Sequence, residues 1–103
     1  MDRRIETRVV QGTGAALTTL IQRDACEVWW IGITPKTLGS AAIVRIYDGF
    51  DTGGKLKWEL HPGYARQHNF IPPIPCDQGL TVYCGGDTEC YTIAYRPKKW
   101  RKE

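Results

Sequence analysis

The sequence has few of the residues that build helices. Leu and Ala together supply only 13 of the 103 residues, whereas Val, Ile and Thr supply 24 and the aromatic residues 11. β-Branched and aromatic side chains favour strands, and the 11 Gly and 6 Pro cut the chain into short pieces. We therefore expect an all-β domain without a helix of ordinary length.

Long apolar segments are also missing. The longest apolar run has six residues, Val28 to Ile33, whereas a membrane-spanning helix needs about 20. The chain starts with the charged segment Met1 to Arg4, and no apolar stretch follows it. We expect no secretory signal, no membrane partner and synthesis in the cytoplasm.

The residue types that carry catalysis are scarce. The chain has one serine, Ser40, and two histidines, His61 and His68. No nucleophile-elbow pattern surrounds Ser40, and the paired glycines lack the strand, loop and helix that a phosphate cradle requires. The sequence therefore predicts a protein without enzymatic activity and without a cofactor.

Cysteine spacing does not favour a metal site. The four cysteines include no C-x-x-C pair, which argues against a zinc site; they are Cys26, Cys76, Cys84 and Cys90. Thiols of a cytosolic protein mostly stay reduced and buried, which is the expectation here. A disulfide between Cys84 and Cys90 stays open as an alternative, because residues 85–89 between them are interpreted as a hairpin loop.

Strand-length pieces of 6 to 10 residues between turn signals predict about eight strands. The predicted fold is an antiparallel β-sandwich, of jelly-roll or Ig-like type, over residues 1–96. Residues 55–60 alternate strictly between polar and apolar, which is typical of a half-buried strand. The predicted core is Val44, Ile46, Leu56, Trp58, Leu60, Leu80 and Val82. Residues 72–75 carry three prolines, which excludes a central strand and favours an edge or a sheet crossing.

The aromatic residues indicate association with other chains. Trp29 and Trp30 are neighbours on one predicted strand, so we expect their side chains to point to opposite faces of the sheet. Tyr91 and Tyr95 share one face of the last predicted strand. One small sandwich rarely covers both faces of its sheets, and surplus aromatic surface is typical of a subunit interface. The sequence predicts a homo-oligomer, with a trimer as one arrangement, and these four residues as part of its interface.

Residues 97–103 form a basic tail. Residues 96–103 carry a net charge of +4 against +3 for the whole chain, so the body is close to neutral. Without a repeated basic and aromatic pattern, nucleic acid is not predicted as a partner. A solvated terminus is one interpretation, and an interface clasp is the other. The clasp would consist of Lys98, Lys99, Trp100, Arg101 and Lys102.

The middle of the chain resembles small β-sandwich virion proteins of tailed bacteriophages. The resemblance covers residues 25–96 and consists of strand and turn patterns: residues 41–49 ending in Tyr47-Asp48-Gly49, the Gly53-Gly54 turn, residues 70–74 before Gly79-Leu80, and Ala94-Tyr95. It implies a virion structural protein, with a capsid decoration (cement) protein that bridges major capsid proteins as the best fit. A tail, neck or fibre component and a carbohydrate-binding module using Trp29 or Trp30 with Tyr64 are the alternatives.

The clasp interpretation predicts that deletion of residues 97–103 leaves the far-UV circular dichroism spectrum unchanged and weakens assembly or capsid binding. An aromatic anchor at an interface commonly contributes about 2 kcal/mol, so a loss of affinity is expected at fixed salt. Equal capsid binding by the truncated chain would contradict the clasp.

Overall fold

The computed structural model describes residues 5–37, 42–62 and 64–98. These residues form eight β-strands: β1 (Glu6–Gln11), β2 (Leu17–Gln22), β3 (Cys26–Pro35), β4 (Val44–Asp48), β5 (Lys55–Leu60), β6 (Arg66–Cys76), β7 (Leu80–Cys84) and β8 (Thr88–Pro97). The described ranges contain no helix, and hence none long and apolar enough to cross a membrane. The predicted all-β fold is confirmed.

The strands form two four-stranded antiparallel sheets. The first sheet has the order β1-β8-β3-β6 and the second the order β2-β7-β4-β5. This interleaved order, in which most consecutive strands lie in different sheets, is that of a jelly roll. The proline-containing strand β6 lies at the edge of the first sheet, as the missing N–H groups require.

One predicted connection is wrong. Strands β7 and β8 belong to different sheets, so residues 85–87 between them cross from one sheet to the other and do not form a hairpin. Cys84 pairs with Leu17 and Val44 in the second sheet, whereas Cys90 pairs with Gln11 in the first. The two cysteines are therefore not opposite each other, and all four are free thiols.

The core lies between the two sheets. Of the residues predicted for it, Val44, Ile46, Leu80 and Val82 are fully buried, while Trp58 and Leu60 are half-buried and pack against the core. The first sheet contributes a set that the sequence did not single out: Val28, Ile31, Ile33 and Ile93.

Leu56 is the exception, and a β-bulge is the cause. Ile46 pairs with Trp58, but the next residue, Tyr47, pairs with Leu56. Lys57 is therefore an extra residue in β5, and one extra residue reverses the side on which all preceding side chains lie. Leu56 consequently lies on the outer face of the second sheet, with 47% of its surface exposed.

Trp58 closes one open side of the sandwich. Its indole lies between the edge strands β5 and β6, with ring centroids 5.1 Å from Phe70 in an edge-on arrangement and 5.3 Å from His68. At the opposite side, Arg8 Nη1 in β1 donates a hydrogen bond to the Leu20 carbonyl in β2. Each side of the sandwich is thus bridged by one long side chain.

The carboxylate of Asp48 connects two distant turns. It accepts backbone N–H bonds from Asp77 at 3.0 Å, Gln78 at 2.8 Å and Gly79 at 3.4 Å. The Tyr-Asp-Gly and Gly-Leu turns noted in the sequence therefore meet through Asp48. Burial by itself raises the pKa of Asp48, but these three donors outweigh it and hold the pKa below its ordinary value.

Replacement of Trp58 by Ala is expected to destabilise the fold by about 3 kcal/mol, at the low end for Trp→Ala because the indole is half-buried. Chemical denaturation measures the loss. Lys55→Ala, an exposed position of the same strand, is the matched control and should change stability by less than about 0.5 kcal/mol. Equal midpoints for the two variants would rule out the packing described for Trp58.

Replacement of Asp48 by Asn removes the charge that three N–H groups share and should cost about 1–3 kcal/mol at neutral pH. Because the folded-state pKa of Asp48 is lowered, its stabilisation is present above the ordinary Asp value of 3.8 and is lost as the pH falls through the folded pKa. Denaturation from pH 7 to pH 2 should therefore show the wild type and Asp48→Asn converging below that value. A constant difference across this range would contradict the assignment.

Candidate interaction surfaces

Trp29 and Trp30 lie on the same face of the first sheet, which corrects the expectation of opposite faces. Val28 pairs with Tyr95, and Trp30 pairs with the next residue of β8, Ala94. Trp29 is therefore the extra residue of a β-bulge, and the alternation of side chains restarts after it. Val28 and Ile31 both point into the core, so the two indoles between them share the outer face.

The Trp29 indole is engaged within the chain. The guanidinium carbon of Arg96 lies 5.2 Å from the centre of its ring, a cation–π contact. Arg96 Nη2 also donates to Glu27 Oε1 at 3.1 Å, which holds the guanidinium over the ring. Trp29 is thus largely covered by its own sheet.

Trp30 instead borders an open groove on this outer face. The groove has a volume of about 470 Å³ and is lined by Trp30, Gly32, Ile33, Thr34, Ala65, Arg66, Gln67, Cys90 and Thr92. We call it the Trp30 groove. Its floor is low because Gly32 has no side chain, and a Cβ built there would meet no atom within 4 Å.

Tyr91 and Tyr95 are not on the surface. Only 1% of Tyr91 and 6% of Tyr95 is exposed, because both side chains point into the core with Ile93. Burial raises the pKa of the Tyr91 hydroxyl. The face predicted to be a surplus aromatic surface is therefore the inner face of β8, and these residues fill the core of their own chain.

Of the predicted clasp, only Lys98 is described. Its backbone N–H donates to the Ala25 carbonyl at 3.0 Å, and its Nζ lies 3.4 Å from Asp77 Oδ1. Lys98 is thus held against the sandwich by its backbone and by its side chain. Lys99, Trp100, Arg101 and Lys102 lie outside the described residues.

The second sheet has its own candidate surface, which the sequence did not indicate. Leu56 lies opposite Tyr47 on the outer face, and Tyr83 and Leu20 lie outward on β7 and β2 by the same alternation. Tyr47, Tyr83 and Leu20 are each partly exposed. We call this set the Leu56 face. A strict two-residue pattern hides it, because only the bulge at Lys57 brings Leu56 outward.

Charged residues of both signs border the Leu56 face. The Arg45 guanidinium lies 5.4 Å from the centre of the Tyr83 ring and donates from Nε to Glu59 Oε1 at 3.1 Å. Glu59 Oε2 lies 2.6 Å from His61 Nε2. The hydrogen bond from His61 and the charge of Arg45 hold the pKa of Glu59 below its ordinary value. The face thus has an apolar centre and a polar rim, the usual anatomy of a protein interface.

The described residues bring together no group of three metal-ligating side chains. The two histidines are in separate places: His61 contacts Glu59, and His68 packs against Trp58 and Phe70. Ser40 lies outside the described residues. Two surfaces on opposite sides of the sandwich therefore remain as candidate sites.

No protein-family model matches the sequence, and no curated protein matches it. Among solved structures, the chain is similar to the Drosophila NLP core, described in terms of pentamer formation and histone binding, with a TM-score of 0.56 and 12% identity. The match covers 92% of this chain and 99% of that chain. At this identity the likeness shows the shared fold alone.

Two structures of infectious bursal disease virus also match, each with a TM-score of 0.35. One is the Gx strain, at 12% identity over 97% of this chain, and the other the VP2 subviral particle, at 14% over 93%. This chain spans only 32% and 31% of those chains. Neither likeness bears on the function of this protein.

Proposed function

We propose that this protein is a non-enzymatic virion structural protein that assembles with copies of itself and acts as a capsid decoration protein. The observation that carries the assembly is the Leu56 face, where a half-exposed leucine and two tyrosines lie within a rim of Arg45, Glu59 and His61. The resemblance of residues 25–96 to phage virion proteins supports the location in a virion.

The occupant proposed for the Leu56 face is a second copy of this chain. Its rim carries both a positive and a negative side chain, Arg45 and Glu59, so a copy of the same face offers each charge an opposite partner. The NLP core, which has the same fold, is described in terms of pentamer formation, which supports association between sandwiches of this fold. Two Leu56 faces that contact each other would close as a two-fold dimer. Histone binding does not carry over to this chain, because its net charge is +3 and its body is close to neutral, so it has no excess of negative charge for a basic partner.

Decoration would act mechanically. Each oligomer would contact several neighbouring major capsid proteins, so that opening the shell would also break these contacts. Once one subunit of an oligomer is bound to the shell, the other subunits are held close to their own sites, so several weak contacts together give a high overall affinity. The face of the sandwich opposite the Leu56 face would then be free of the oligomer interface.

Replacement of Leu56 by Glu is expected to convert the assembled wild type to a chain of 11.7 kDa in light scattering after size-exclusion chromatography. The physical reason is burial of an unpaired charge, which commonly costs about 2 kcal/mol or more at an interface centre. Val9→Glu is the matched control, because Val9 is 60% exposed and lies in the other sheet. A wild-type chain that is monomeric up to its solubility limit would overturn assembly.

The virion role is tested with shells assembled from major capsid proteins of tailed bacteriophages. The wild type is expected to co-sediment with the shells and to raise their melting temperature, and Leu56→Glu to do so less. If the protein assembles with its own copies but does not bind to the shells, the decoration role is wrong and the proposed self-assembly still holds.

A further inference from the structure

The outer face of the first sheet has an unusual set of side chains. Apart from the indoles and the exposed Val9, the residues of two neighbouring rows across the strands are small or carry amides or hydroxyls. One row is Val9, Thr92, Gly32 and Gln67, and the next is Thr7, Ala94, Trp30 and Asn69. The result is a low, hydrogen-bonding surface with one indole standing beside it.

Polar groups converge on the Trp30 groove from three strands. Thr34 lies on β3, Thr92 on β8 and Gln67 on β6, and all three line the groove. The Gln67 amide donates to Asn69 Oδ1 at 3.0 Å, which leaves the Gln67 carbonyl oxygen as an acceptor. A few oriented polar groups beside an aromatic ring are the usual composition of a small-ligand site.

The charge of the groove is of one sign. Among the residues that the structure describes, no carboxylate lines it, and Arg66 is the one cation. Arg66 lies at the rim, 5.7 Å from the centre of the Tyr64 ring, and Tyr64 is 58% exposed. The rim thus adds a second aromatic ring next to a positive charge.

This chemistry excludes the other common occupants. A nucleic acid needs several cations along its backbone, and the groove has one. A β-strand peptide adds to a sheet edge, whereas the groove crosses the face over β8, β3 and β6. A lipid chain needs an apolar lining, but three of the nine lining residues are Thr34, Gln67 and Thr92. A sugar ring has an apolar face for the indole and hydroxyls for the threonines and the amide.

We propose that the Trp30 groove binds an oligosaccharide, with one ring on the Trp30 indole, its hydroxyls on Thr92 and Gln67, and an acidic sugar preferred because of Arg66. This goes beyond the proposed function, since the groove lies on the face opposite the Leu56 face. A virion protein with this groove would bind a cell-surface glycan on one face of the sandwich and a second copy of the chain on the other face.

The full chain is first applied to an array of matched neutral and uronic- or sialic-acid oligosaccharides, and the best acidic one is then titrated by calorimetry. We expect it to bind at least about threefold more tightly than its neutral counterpart, since one exposed cation adds little. Trp30→Ala should weaken binding on the order of tenfold or more, because the indole supplies most of the apolar contact.

Gly32→Val is the sharper variant. A valine side chain at position 32 would enter open space, and valine favours strands, so we expect the variant to be at least as stable as the wild type. The same side chain would fill the floor of the Trp30 groove, so we expect the variant to lose sugar binding. Trp29→Phe is the control that should bind as the wild type does, because Trp29 is covered by Arg96. Leu56→Glu should also keep the affinity per site, which separates this site from the assembly face.

Cysteine alkylation gives a second measurement. Cys90 lines the groove and is partly exposed, whereas Cys26, Cys76 and Cys84 are buried, so a bound sugar should slow alkylation of Cys90 alone. No binding on the array, or equal binding by the wild type and both Trp30→Ala and Gly32→Val, would overturn the site. Equal affinity for the neutral and acidic sugars would overturn the role of Arg66.

Discussion

The two-residue period of the β-strand is the constraint on which the rest of this structure depends. It decides which side chains enter the core and which reach the surface, and every β-bulge reverses it. The bulge at Trp29 in β3 places two indoles on one outer face, and the bulge at Lys57 in β5 turns Leu56 outward. Both candidate surfaces therefore arise where the period is interrupted.

The jelly-roll topology keeps these two surfaces apart. Each sheet covers the inner face of the other, so the outer faces lie on opposite sides of the sandwich and have different chemistry. The second sheet exposes Leu56 beside Tyr47, whereas the first exposes threonines, amides and Gly32. A sandwich of this size can therefore offer one face for assembly and the other for a ligand, without a shared residue.

Long-range polar contacts hold the ends of the strands in place. Asp48 closes the connection between β6 and β7 through three N–H donors, and Thr81 Oγ1 donates to the Gly49 carbonyl at 2.9 Å. An Asp in a Gly-rich turn commonly bonds to the backbone of its own turn, as Asp51 does with the N–H of Gly53. Asp48 instead bonds to residues about 30 positions away, a contact that local turn patterns do not contain.

The sequence by itself determined the all-β class, eight strands, the edge position of the prolines and the buried Val44, Ile46, Leu80 and Val82, because composition, turn residues and alternation are local properties. Only the tertiary structure decided that residues 85–87 cross between sheets, that Tyr91 and Tyr95 point inward, and that Leu56 and both indoles point outward. Those outcomes depend on which strands pair and on where an extra residue enters the pairing. Pairing is set by contacts between residues far apart in the chain, and no local pattern records it.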